Sequence, residues 1–309
     1  LPMTDRILRI ATRRSALALW QANYMADRLR ALPEAPQVEL VQIVTTGDQN
    51  QTDALRQFGG TGVFTREVQN AVLDGRADLA VHSLKDLPTQ SADGLALACV
   101  PERAPRCDSL LLPAGSNGIQ SLAELPAGAR IGTGSPRRQA QLRYHRPDVE
   151  PQEIRGNVDT RLRKLDEGQF DAILLAEAGL RRLGLQDRIS LVLSPPELFP
   201  AVSQGALGIE TRADDEATQS LLAQISCPVA TAEVFAERAL LRALRAGCHA
   251  PLGAWCSVAG EQLTLTGVLL SLDGQTRLEQ SATGSIHSPD AVGIQVADHL
   301  LAAGAGALL

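Results

Sequence analysis

Aromatic side chains are scarce in this chain, at 3% of 309 residues, and positive charge is not in surplus, since the formal net charge is −6. Nucleic-acid binders present a basic face and stacking platforms, so both deficits speak against that class. No apolar run approaches the roughly 20 residues of a membrane-spanning helix, and no charged–apolar–small leader opens the sequence. The CxxC, HExxH and Walker-loop patterns are all missing, which removes the usual zinc and nucleotide signatures. Cysteines are few, odd in number and scattered: Cys99, Cys107, Cys227, Cys248 and Cys256. They are expected as reduced thiols of a cytoplasmic protein, most of them filling core space.

What is present is an ordinary globular composition, 44% apolar and 21% charged, long enough for two or three domains. A βα pattern is legible from the start. Residues 7–11 suit a buried strand and 12–15 a polar turn. Ser15 is placed to cap a helix whose apolar face uses Leu17, Trp20, Tyr24, Met25 and Leu29. Arg13 thereby falls at a strand-to-helix junction. A second strand is expected over 38–44. The glycine-bearing polar stretch after it, 45–62, suits a lid and a plain surface loop equally. Beyond a helix over 64–73, residues 79–81 form a short buried strand. The chain then turns polar through Ser83, Lys85 and Asp86 until Pro88 stiffens it. That loop lies past a strand's C-terminal end, where open α/β sheets carry their sites.

An aspartate there serves either as a turn residue or as a reaction centre, and the remaining pattern bears on the choice. Two prolines within 101–107 mark a crossing to a second βα unit, with strands over 109–112, 129–132 and 171–176. GTGSPRR starts a helix at Ser135 and Pro136, so its free N–H groups and Arg137 and Arg138 suit an anion ahead of it. A simple capped helix start is the plainer alternative. Arg155 is expected to end a strand, Arg161 to stand in the first turn of the next helix, and Arg182 to follow the strand over 171–176. A first-turn arginine opposes the helix dipole unless an anion sits nearby. Arginines at successive βα junctions therefore point to a polyanionic ligand, and Asp86 among them to a reaction centre.

Pro195, Pro196 and Pro200 mark a second crossing, after which 202–225 returns to the first lobe. Two lobes of this kind bind small ligands in the cleft between them. From about residue 227 helices and strands segregate into an α+β unit. There Cys248 sits on a tight loop between Gly247 and Pro251, either as an inert filler or as a functional thiol. The expected architecture is α/β. One lobe covers 5–102 and 203–224, a second covers 108–199, and a smaller C-terminal α+β domain covers 228–309.

The segments RIATRRSALALWQA, TTGD, VHSLKDLP, GTGSPRRQAQL, RGNVDTRL, DAILLAEAGLRRLG, SQGALGIE and AGCHAPLG follow one another along the chain. Together they closely resemble the blocks of the porphobilinogen deaminase (hydroxymethylbilane synthase) family, collinear with them over nearly everything up to residue 253. The resemblance implies lobes like those of periplasmic binding proteins and a monomeric transferase of porphyrin and haem biosynthesis. It implies condensation of four porphobilinogens, each losing ammonia, into the linear tetrapyrrole hydroxymethylbilane. The primer would be a dipyrromethane cofactor held by a thioether to Cys248, with no metal. The family's catalytic aspartate falls on Asp86, and its carboxylate-binding arginines on Arg13, Arg137, Arg138, Arg155, Arg161 and Arg182. Ser15, Ser83, Lys85, Thr133, Ser135 and Gln204 match polar positions on the cofactor side of the cleft.

The chemistry accounts for these residue types. Each pyrrole brings two carboxylates, so a lengthening chain needs many bidentate cations. A carboxylate near the pyrrole N–H stabilises the cation left when ammonia departs. Some positions depart from the family pattern. Thr61 stands where lysine is frequent, Gly134 replaces a frequent serine, and Asp159 a frequent glycine, while AGCHAP differs from the commoner GGCQVP. These bear on lid contacts and loop geometry, not on the reaction. A binding protein of the same two-lobed fold would explain the arginines but neither Asp86 nor the cysteine-bearing third domain.

Overall fold

The computed structural model describes residues 7–33, 35–44, 65–247 and 250–309. In chain order the strands are β1 (Ile7–Arg13), β2 (Gln37–Ile43), β3 (Leu79–Ser83), β4 (Leu95–Cys99), β5 (Asp108–Leu111), β6 (Arg130–Gly132), β7 (Glu150–Gln152), β8 (Ala172–Ala176), β9 (Leu191–Leu193), β10 (Leu207–Arg212), β11 (Leu252–Ala259), β12 (Gln262–Leu270) and β13 (Arg277–Ser285). The α-helices are α1 (Ala16–Arg30), α2 (Arg66–Leu73), α3 (Pro136–His145), α4 (Val158–Asp166), α5 (Glu177–Arg182), α6 (Glu216–Ala223), α7 (Pro228–Ala243) and α8 (Pro289–Ala302). They assemble into two compact units, Leu1–Arg103 with Ala206–Thr231, and Ala104–Gly205 with Ala232–Leu309.

The first unit holds a five-stranded sheet in the order β2-β1-β3-β10-β4. β1 runs parallel to β2 and β3, whereas β10 is antiparallel to β3 and β4. Four consecutive residues of β3 are buried, as expected of a central strand covered on both faces. One face packs Leu8, Ile10, Leu79 and Ile209 against Met25 and Leu29 of α1 and Leu222 of α6. The other packs Ala11, Ile43 and Ala80 against Val68 and Val72 of α2. Ser15 caps α1 by accepting from the Ala18 N–H at 3.3 Å, and Arg28 and Arg30 occupy its last turn, where the dipole favours cations.

The second unit repeats the plan in the order β7-β6-β8-β5-β9, with β5 antiparallel to both neighbours. β5 is the first strand after the chain enters this unit, and β10 the first after it returns to the other. Each sheet thus takes its inner antiparallel strand from a crossing segment. The same unit carries the antiparallel sheet β11-β12-β13. Leu240 of α7 and Val296 and Leu300 of α8 cover one face of it over Leu263 and Leu265. Arg106 ties this part to the crossing. Its guanidinium stacks 3.7 Å over the Trp255 ring, donates to the Cys256 carbonyl at 2.5 Å and pairs with Glu233 at 3.2 Å.

This is the expected α/β architecture with a smaller C-terminal α+β part. One local expectation needs correction. β7 ends at Gln152, so Arg155 follows its strand by three residues instead of ending it. Arg182 follows the strand as expected and closes α5, a position where the dipole welcomes a cation. β9 was not anticipated, because three residues are too few to show a period. The stretch 45–62 with Thr61, and the loop residues Cys248 and His249, lie outside the described residues.

Candidate active site

At the C-terminal ends of β1 and β3 the first unit forms a small pocket of about 100 Å³. Arg13, the last residue of β1, and Ser15, the cap of α1, line one side; His82, Ser83 and Asp86 line another. Ser83 closes β3, and Leu84–Asp86 then form one 3-10 turn, more ordered than the open loop expected. The Leu84 N–H donates to the Ala206 carbonyl at 3.0 Å, and the Leu87 N–H to the Leu84 carbonyl at 3.2 Å. Leu84 is buried against Gly208, where any Cβ would stand 2.5 Å from Leu84 Cδ1. With Leu84 locked inward, Asp86 is left exposed at the pocket and Lys85 half-buried beside it. Gln21 of α1, only 2% exposed, donates its amide to Ser83 Oγ at 2.8 Å. The structure therefore brings Arg13, Ser15, Ser83 and Asp86 together around one space.

The second unit treats its predicted residues differently. Arg137 and Arg138 are turned inward onto Asp108, which has no exposure. Arg138 donates to Asp108 Oδ1 through Nε at 3.0 Å and Nη2 at 2.6 Å, and to the Leu174 carbonyl through Nη1 at 3.0 Å. Arg137 Nη1 lies 2.7 Å from Asp108 Oδ2 and donates to the Phe199 carbonyl at 2.6 Å. Gln204 adds a donor to Asp108 Oδ1 at 2.9 Å and another bond to the Arg106 carbonyl. Burial alone would raise the Asp108 carboxyl, but the two guanidinium charges outweigh it and hold it far below the carboxylate range. Burial pulls the Arg137 guanidinium below its ordinary value, against the attraction of Asp108. Arg138 thus has every guanidinium nitrogen engaged, while Arg137 Nε is buried and has no hydrogen-bond partner among the described residues.

The other predicted positions are spread along the same unit. Ser135 caps α3, and Pro136 begins it. Thr133 is fully buried and accepts from the Ser135 N–H at 3.3 Å. Arg155 is largely exposed and paired with Glu153. Arg161, the fourth residue of α4, donates to the Gly156 carbonyl at 2.8 Å. Arg182 is buried and donates to the Gly205 carbonyl at 2.7 Å. Gly134 leaves only 3.3 Å between a would-be Cβ and the Ile154 carbonyl, so a serine there would press on the residue before Arg155. Among the described residues, no group of three or more His, Cys, Asp or Glu side chains could hold a metal, and no helix is long and apolar enough to cross a membrane.

Sequence reasoning missed Gln21, His82, Glu210 and Asp108. A histidine inside a strand with no polar face was a usable signal for His82. So was an aspartate opening the buried strand of 108–111. Gln21 and Glu210 gave none, because their partners lie 62 and 128 or more positions away in the chain.

The described residues thus form an α/β protein with an exposed aspartate at strand ends and Arg13 beside it in one pocket. Comparison with known proteins makes this specific. Residues 8–220 match the family described as porphobilinogen deaminase, dipyromethane cofactor binding domain, and residues 231–302 match porphobilinogen deaminase, C-terminal domain. A porphobilinogen deaminase of Chromobacterium violaceum is 48% identical over 99% of this chain and 97% of its own length. Among solved structures, the periplasmic VFT2 domain of Bordetella pertussis BvgS aligns over 71% of this chain and 86% of its own, with 14% identity and a TM-score of 0.42. The probable extracellular amino-acid-binding protein YtmK of Bacillus subtilis aligns over 72% and 90%, with 7% identity and a TM-score of 0.43. The chain belongs to the porphobilinogen deaminase family. Its reaction is the transferase chemistry that condenses porphobilinogen into hydroxymethylbilane for porphyrin and haem biosynthesis, on a dipyrromethane cofactor.

Proposed function

We propose that Asp86 is the catalytic carboxylate of this condensation and that Cys248 carries the dipyrromethane through a thioether. The observation that carries the reading is the exposed Asp86 at a pocket shared with Arg13, Ser15 and Ser83. As ammonia leaves a porphobilinogen unit, Asp86 stabilises the positive charge that develops on the pyrrole. Arg13, Arg155, Arg161 and Arg182 hold acetate and propionate groups as charge-assisted partners. Ser15, Ser83, Lys85, Thr133, Ser135 and Gln204 supply further polar contacts. The residues present suit a polyanionic dipyrromethane, because Arg137 Nε is a buried donor still in need of an acceptor. Arg138 acts with it by fixing Asp108 and the start of α3. When bound, the cofactor would supply the nucleophilic pyrrole α-carbon to which the first substrate unit is joined. We place the enzyme in the cytoplasm as a metal-independent monomer.

The intact mass of the purified protein, with peptide mapping around Cys248, tests the attachment. The expected result is an excess of two linked pyrrole units on that peptide. Asp86→Asn should load the cofactor and bind porphobilinogen but release ammonia on the order of a hundredfold more slowly. An unmodified Cys248, or near-normal turnover by Asp86→Asn, would defeat the corresponding assignment.

A further inference from the structure

A second ionisable group stands in the wall of the Asp86 pocket. His82 is only 6% exposed, yet it lines the same space as Arg13, Ser83 and Asp86. Its Nε2 lies 3.0 Å from Oε2 of Glu210 on the adjacent β10. His82 pairs with Gly208 in the ladder, and Glu210 is two residues further on, so both side chains project from one face of the sheet. Glu210 has no exposure, and Gln69 of α2 donates to its two oxygens at 2.9 and 3.2 Å. Burying a carboxylate against an imidazole is costly where apolar side chains would fill the space. Among the described residues, the other charged groups lining this pocket are Arg13 at the end of β1 and Asp86 in the turn after β3; α1 contributes Gln21, and Thr65 precedes α2.

We propose that His82 is the proton acceptor of the condensation, with Glu210 and Gln69 as its positioning residues. This role rests on the functional reading above. A carboxylate behind Nε2 favours the tautomer that keeps its proton there, which leaves Nδ1 as the proton-accepting atom. At 3.0 Å from Glu210 the buried Nε2 makes no hydrogen bond to it, and catalytic pairs often tighten only once substrate binds. Starting from the ammonium form of the substrate, the aminomethyl C–N bond breaks and ammonia takes the electron pair. A C–C bond forms to the α-carbon of the acceptor pyrrole, and His82 takes that carbon's proton at Nδ1. His82 then passes the proton to the released ammonia, which departs as ammonium. Asp86 remains with the developing cation, so charge stabilisation and proton transfer fall to separate groups.

Cofactor-loaded His82→Gln and Glu210→Gln enzymes provide the test, with ammonia release followed as a function of pH. For His82→Gln, kcat should fall on the order of a hundredfold with KM changed less than about threefold. The acid limb of the kcat–pH profile should disappear in that variant. Glu210→Gln should lose about tenfold in kcat. A His82→Gln enzyme within about threefold of wild type, or a slow one that keeps the acid limb, overturns the assignment. Should that variant not fold, a wild-type rate in Glu210→Gln overturns it equally. If the wild-type protein releases no ammonia from porphobilinogen, the functional reading falls first and this role with it.

Discussion

Asp108→Asn is the sharpest test of what holds the second unit together. In the wild type one buried carboxylate receives Arg137, both arms of Arg138 and the Gln204 amide, all within 3.0 Å. The asparagine keeps the shape, but it removes the negative charge and aims an N–H₂ group at donors. Two buried guanidinium groups then lack a counter-charge, and breaking a buried pair in this way costs about 3–5 kcal/mol. For a unit of this size each kcal/mol moves Tm by about 2–4 °C, so Tm should drop by about 10 °C. Scanning calorimetry on protein with matched cofactor content reads this directly, and urea unfolding should lower the midpoint at unchanged slope. The Asp108 carboxyl is depressed in the folded state. Its stabilisation is therefore fully present above the ordinary unfolded carboxyl value of about 4 and is lost only as pH falls from there through the folded value. The difference between wild type and variant should stay constant from pH 8 to pH 5. Asp27→Asn, on an exposed pair with Arg30 at 3.1 Å, should change nothing measurable. A Tm loss below about 3 °C, or a difference that shrinks between pH 8 and pH 5, would refute the reasoning.

Three other outcomes follow from the same structure. Gly205 has φ +86° and a would-be Cβ only 2.5 Å from the Ala104 carbonyl; Gly205→Ala should cost at least about 1–3 kcal/mol in a denaturant titration, and a neutral result would remove the steric account. Gln21→Met deletes the donor to Ser83 at 2.8 Å and should slow turnover about fivefold. Adding Ser83→Ala should then cause little further loss, so fully additive losses would show that Gln21 does not act through Ser83. Burial pushes the Cys99 thiol up to about 11, so iodoacetamide at pH 8 should leave it unmodified until the protein unfolds. Prompt labelling in the folded state would contradict its placement in the core.

Much of the fold is local in origin and could be read from the chain directly. The cap at Ser15, the Ser135–Pro136 helix start and the apolar run leading to Ser83 each depend on a few neighbouring residues, whose hydrogen-bonding and steric preferences act within one turn or strand. The same holds for the motif blocks that carry the family resemblance, and for Asp86 as a polar residue at a strand's end. What the chain order conceals is the pairing of distant charges. Arg137 and Arg138 look from sequence like two forks held out to a ligand, yet both turn onto Asp108, some thirty positions earlier. Neither a helix period nor a cap dictates that choice, because it depends on which buried carboxylate the sheet brings within reach. His82 and Glu210 meet for the same reason: β10 comes home from the other unit and pairs with β3. Local sequence determined the elements and the reactive turn. Only the tertiary structure decided which charges are neutralised inside and which face the pocket, since desolvation makes a buried charge find its partner wherever the fold has placed one.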